Sequence, residues 1–114
     1  MIGINRIYNL TGKEQAYHIL VDGIWPRGIR KEDPRIDEWI KEIAPTSELR
    51  KWFSHDPDKW EAFREAYLRE LQEKKQILER IKKNAEDQPV VLIYSAKDEK
   101  HNHAVVLKEA IEQL

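Results

Sequence analysis

The chain has 114 residues, 20 Lys plus Arg against 21 Asp plus Glu, and no cysteine. That length supports one domain with a modest core; the balanced charge argues against a nucleic-acid binder driven by bulk attraction, though it allows a local basic patch. The missing cysteines exclude disulfides, thiolate catalysis and sulfur-ligated zinc, and no window nears ~20 consecutive apolar residues or a signal-peptide core, so a cytoplasmic protein with no membrane partner is expected.

Ile2, Ile4 and Ile7-Tyr8 predict a first short strand, and Asn9 to Gln15 a loop. Ala16 to Val21 predict a second strand running into Asp22-Gly23. The connection is shorter than the dozen or so residues usual for a parallel crossover, so spacing alone leaves the direction of the first strand open. Trp25-Pro26-Arg27-Gly28 follows, where Pro26 and Gly28 bar regular helix, and Arg27, Arg30 and Lys31 place three cations within five residues. Two readings compete for this loop. In one, Arg27 pairs with a core-edge carboxylate such as Asp22 or Asp98; in the other, a stiff proline-containing turn presents guanidinium and ammonium groups to an anion.

Asp33-Pro34 reads as an N-cap and first helical residue, and Ile36, Trp39, Ile40 and Ile43 repeat at helical spacing, predicting an amphipathic helix that ends before Pro45. Thr46-Ser47 cap a short helix over Glu48 to Phe53. Asp56-Pro57 open the main helix, whose stripe of Trp60, Phe63, Tyr67 and Leu71 is read as core and not as a cofactor box. Residues 72–76 are polar, after which Ile77, Leu78, Ile81 and Ala85 resume the pattern; with no Gly or Pro to mark a break, one long helix and two shorter ones both fit. Asn84 to Pro89 turn into Val90-Val91-Leu92-Ile93-Tyr94, an apolar β-branched run that predicts a buried strand. A polar loop and a last helix carrying Ala104, Leu107, Ala110 and Ile111 complete the chain. The predicted fold class is α/β: a small, mostly parallel sheet of about three strands flanked by four to five helices, ending in a strand-loop-helix unit. Ligands in open α/β sheets bind outside the carboxyl ends of the strands.

Two loops therefore hold the candidate chemistry. The first offers Asp22, Arg27 and Lys31; the second offers Tyr94, Ser95, Asp98, Asn102 and His103, with Asp98 a candidate cap for the last helix. A capping network with one inward histidine is the bland alternative there, and it suits His101 better than His103. Ser95, His103 and either Asp22 or Asp98 spell a triad, but no Gly-x-Ser-x-Gly elbow accompanies them. No HExxH or comparable ligand spacing occurs, so no metal is implied, and neither GxGxxG nor a Walker loop is present. His55 beside Asp56 is read as structural, gaining interest only if the fold brings it against Arg27.

Leu20 to Gly28 with Lys31, Asp37-Glu38-Trp39, Ile43-Ala44-Pro45, Ser47 to Phe53, His55-Asp56, Tyr94 to Asp98 and His101-Asn102-His103-Ala104 together resemble the YeaO-like family of bacterial and archaeal proteins, a domain of unknown function. The resemblance spans nearly the whole chain and is most specific in Trp-Pro-Arg-Gly and His-Asn-His-Ala. It departs at Gly23, where the family commonly has arginine, which counts against a two-arginine version of the pocket. The resemblance implies a small α/β fold, first and second strands that run parallel, and the meeting of the two loops at one end of the sheet.

On these grounds a binding site for a small phosphate- or nucleotide-like anion ranks first. Arg27 and Lys31 would hold the anion, with Tyr94, Ser95 and Asn102 beside it. Asp22 and Asp98 would orient the cations or, if the site is enzymatic, act as acid/base groups, with His103 as a proton shuttle. A buried salt-bridge network that only holds the fold comes next, and an interaction module using Arg27, Arg30, Lys31, Lys82 and Lys83 third. The residues name no cofactor, reaction or oligomeric state.

Overall fold

The computed structural model describes residues 1–114. In chain order its elements are β1 (Ile2–Arg6), β2 (Tyr17–Leu20), β3 (Glu38–Trp39), α1 (Ser47–Phe53), α2 (Trp60–Gln72), α3 (Lys75–Asp87), β4 (Val90–Tyr94) and α4 (His103–Glu112). The strands form one sheet in the order β1-β4-β2-β3, parallel throughout. The α/β class and the closing strand-loop-helix unit are as predicted, with one more strand, the two-residue β3 at the sheet edge. The direction of β1, open from spacing, is settled by its neighbour. β1 and β2 each pair with β4 and never with each other, Ile4 and Ile19 flanking Leu92 from either side.

β4 is the centre of the fold because its residues are apolar on both faces. Val90, Leu92 and Tyr94 join the large core made with α2, α3 and α4. Ile93 faces the other way, into a small cluster with Ile7, Leu10 and Leu20. That second cluster is roofed by the loop after β2, which contributes Trp25 and Ile29. Both sides of the central strand are thereby covered, and all four carboxyl ends open toward the same edge.

The amphipathic helix expected from Asp33-Pro34 to just before Pro45 does not form; only one 3-10 turn, Lys41–Ile43, is helical there. Asp33 accepts hydrogen bonds from the Arg35 backbone and guanidinium, tightening a turn, and Arg35 also donates to the Leu10 carbonyl at 3.0 Å. Asp37 accepts from the His18 amide, and Glu38–Trp39 then pair with β2. The helical spacing had another cause: Ile36 and Trp39 pack on the small cluster, whereas Ile40 and Ile43 enter the large one. Tertiary packing on both faces of a sheet edge overrode local pattern. The 57–85 region is two helices, parted at Glu73-Lys74. The break needs no Gly or Pro, because the Lys74 ammonium reaches the Glu42 and Ala44 carbonyls there. Arg64 forks onto Glu109 and ties α2 to α4. No helix is long and apolar enough to cross a membrane.

Candidate functional site

At the carboxyl edge of the sheet lies a cleft of about 360 Å³. Its floor comes from the exits of β2 and β4 and the start of α4, and its walls from α1, the following turn and α2. Asp22 is 8% exposed and anchors the floor. One carboxylate oxygen accepts from the Ser95 amide at 3.0 Å and the Ser95 hydroxyl at 2.6 Å, so it joins the ends of β2 and β4. The other oxygen lies 3.4 Å from Nε2 of His103. The same Nε2 is 3.0 Å from the Val21 carbonyl, which can only accept, so this nitrogen carries the proton. Asp22 and His103 thus form part of a satisfied buried network.

The loop after β2 is held stiffly. The Tyr8 hydroxyl donates to the Arg27 carbonyl at 2.7 Å, and the Trp25 indole donates to the Ile29 carbonyl at 2.8 Å while packing edge-on against Trp39. Gly28 has φ of 78°, the left-handed conformation that a Pro-x-Gly turn requires at this place. Arg27 is exposed on this fixed turn and lines the cleft. It pairs with neither Asp22 nor Asp98. A second guanidinium, Arg50, enters from α1 and also has no carboxylate partner. Its Nη1 sits 3.4 Å from the point a Cβ on Gly23 would occupy. Arg50 thereby brings a second guanidinium to the space beside Gly23.

His55 reaches the same cleft from the turn after α1, so the fold does bring it to the cleft that Arg27 lines. Ser54 and His55 have φ of 46° and 57°, two consecutive non-glycine residues in left-handed backbone. Such backbone is costly, on the order of 1–3 kcal/mol per residue, and is found where surrounding contacts hold it. Here Ser54 closes α1 by donating its amide to the Arg50 carbonyl, and the Asp56 amide donates to the Phe53 carbonyl.

Of the residues singled out from sequence, the cleft collects Asp22, Arg27, Ser95, Asn102 and His103. Lys31 is exposed, with its ammonium 6.0 Å from the Trp25 ring, and does not line the cleft. Tyr94 is buried in the large core, where desolvation raises its hydroxyl pKa. Asp98 lies outside the cleft and is not the cap of α4. Asn102 is that cap, its side-chain oxygen accepting from the Val105 amide and its side-chain amide donating to the Asp98 carbonyl. Asp98 instead closes the preceding turn, accepting from the Lys100 and His101 amides and facing the His101 ring. Arg50 and Phe63 were not singled out as site residues: each sits on a helix whose periodicity says which face is buried but not what that face borders. No group of three or more His, Asp or Glu side chains is placed to hold a metal ion.

The amide bonds to Asp98 hold its carboxyl at about 2. Its unfolded value is higher, near ~3.9, so the folded state gains from ionised Asp98 above that range and loses the gain as pH falls toward 2. The Lys100 and His101 amides are therefore expected to stay protected from hydrogen exchange down to about pH 4 and to lose protection between about pH 4 and 2. An acid titration followed by amide NMR checks this; in Asp98→Ala the protection is absent at every pH.

A family model described as the inactive DUF488-N3 subclade matches residues 1–114. The chain belongs to this subclade. Among curated relatives it is 44% identical over 113 residues to the uncharacterized protein YeaO of Escherichia coli K12, covering 99% of this chain and 98% of that protein. It is 32% identical over 110 residues to the uncharacterized protein Rv3073c of Mycobacterium tuberculosis H37Rv, covering 96% and 92% of the two chains. A Mycobacterium bovis protein, Mb3100c, matches with the same identity and coverage. The YeaO-like resemblance is thereby borne out for bacterial proteins. No solved structure matches. The cleft of this subclade member offers two unpaired guanidiniums and an exposed imidazole, with Asp22 as its only acidic lining residue.

Proposed function

We propose that the cleft binds a small anionic molecule and does not transform it. What supports this reading above all is that Arg27 and Arg50 line one concavity without carboxylate partners. Guanidinium groups bind phosphate and carboxylate oxygens through paired, charge-assisted hydrogen bonds. A stiff loop and a helix fix the backbone of both residues, which leaves only the side chains to be ordered around a guest. Binding is favoured over turnover by the state of the acid/base candidates. Asp22 is occupied by Ser95 and His103, Asp98 faces another turn, and the subclade is described as inactive. The salt-bridge-network alternative required Arg27 to be paired beside a closed surface, and neither condition holds.

Isothermal titration of orthophosphate, phenyl phosphate and benzoate at low salt tests the proposal. Arg27→Ala and Arg50→Ala are each expected to weaken the tightest of these about tenfold or more, since a hydrogen bond to a charged group contributes ~1.5–3 kcal/mol. Lys31→Ala, outside the cleft, is expected to leave affinity within about twofold apart from general screening. Wild-type protein that binds none of the three, or arginine variants that bind as well as wild type, would overturn the assignment.

A further inference from the structure

The anion reading leaves most of the cleft unexplained, and the further step rests on that reading. A cleft of about 360 Å³ has the size of a pocket for a small organic ligand, and an inorganic oxyanion of five heavy atoms fills only a small part of it. The remaining wall is formed by Pro26, Pro45, Phe53 and Phe63, with Ile24 at the mouth. Of these, Pro26, Pro45, Phe53 and Phe63 are buried within the fold, so this wall is a rigid, pre-formed apolar surface. Phe53 and Phe63 stack on each other with centroids 4.2 Å apart and planes 20° apart, so at 5% and 2% exposure they form the firm backing of the wall and show the cleft little ring surface. Ile24 is 63% exposed, the most exposed large apolar side chain after Met1. Water against such walls gains little hydrogen bonding, whereas an apolar body there is favoured by area removed from water.

We infer that the ligand is an aromatic anion: a phosphate or carboxylate head held by Arg27 and Arg50, joined to a flat apolar ring that fills the apolar part of the cleft under Ile24, which Phe53 and Phe63 back. Both parts are needed. The head fixes orientation at the cationic side, and the ring fills the volume a bare anion leaves to water. Pockets of this size and mixed lining take small organic ligands, which bury most of their surface while a few polar groups set specificity.

The experiment compares five probes by titration calorimetry on the full chain: orthophosphate, acetate, phenyl phosphate, benzoate and neutral benzyl alcohol. Phenyl phosphate is expected to bind at least tenfold tighter than orthophosphate, and benzoate at least tenfold tighter than acetate. Benzyl alcohol is expected to bind at least tenfold weaker than the better aromatic anion. Ile24→Ser removes an exposed side chain that the fold does not depend on. It should weaken the aromatic anions about three- to fivefold and leave orthophosphate unchanged. Equal binding of orthophosphate and phenyl phosphate would overturn the aromatic assignment and leave the anion site standing. Equal binding of benzyl alcohol and the aromatic anions would overturn the anion site itself. Absence of binding by all five would overturn both.

Discussion

Asp22→Ala is expected to lower folding stability by about 2–4 kcal/mol, as read by urea denaturation followed by circular dichroism. The carboxylate accepts from the amide and hydroxyl of one residue, Ser95, and stands beside the protonated nitrogen of His103. Truncation strands two donors in a site where Asp22 itself is almost fully buried, and it removes the link between the ends of β2 and β4. Asp22→Asn keeps an acceptor oxygen for Ser95, so its cost is expected to be smaller, about 1–2 kcal/mol. The two substitutions also separate structure from binding. Asn removes the only negative charge lining the cleft, so phenyl phosphate should bind Asp22→Asn at least as tightly as wild type. A loss below about 0.5 kcal/mol in Asp22→Ala would show that the carboxylate is not holding the strands and is free for other chemistry.

The same residue shows how far the sequence reaches. Asp22, Arg27, Ser95 and His103 were visible because two polar loops leave the ends of apolar runs, and a parallel sheet puts such exits on one edge. Their roles were not visible. The choice between Arg27 bonded to Asp22 and Arg27 free depends on where Ser95 places its hydroxyl, a matter of ångströms between segments 73 residues apart. Arg50 escaped notice for a related reason. It sits on α1 among Lys51 and other surface charges, and only the packing of α1 beside Gly23 turns it toward the cleft. The false helix at 36–43 marks the opposite limit: a short segment that feeds apolar side chains to two cores can mimic helical periodicity. Long elements were more legible, because α2, α3 and β4 each repeat one signal over many residues, although the break between α2 and α3 carries no Gly or Pro to mark it.

Phe63→Ala joins the core and the cleft in one measurement. Phe63 is 2% exposed, stacks on Phe53 at 4.2 Å, and lies 5.8 Å from Trp60 and 5.9 Å from Tyr67. Tyr67 is fixed in turn by donating its hydroxyl to the Ile43 carbonyl at 2.6 Å, so the surrounding rings cannot collapse freely into the space left behind. Loss of a buried phenyl with little relaxation costs about 3–5 kcal/mol, which urea denaturation will register as a lower midpoint with an unchanged slope. Trp52→Ala, at a ring 47% exposed with the Lys59 ammonium 5.1 Å above it, should cost clearly less, about 1–2 kcal/mol. Because Phe63 also borders the cleft, its truncation extends the cleft inward instead of leaving a sealed void in the core. Phenyl phosphate or benzoate that occupies the vacated space stabilises the folded state by RT ln(1 + [L]/Kd), about 2.7 kcal/mol at a hundred times Kd. Phe63→Ala should therefore regain more stability from an aromatic anion than from orthophosphate at the same multiple of Kd measured for wild type. Equal recovery from both would place the ring-binding wall elsewhere than Phe53 and Phe63.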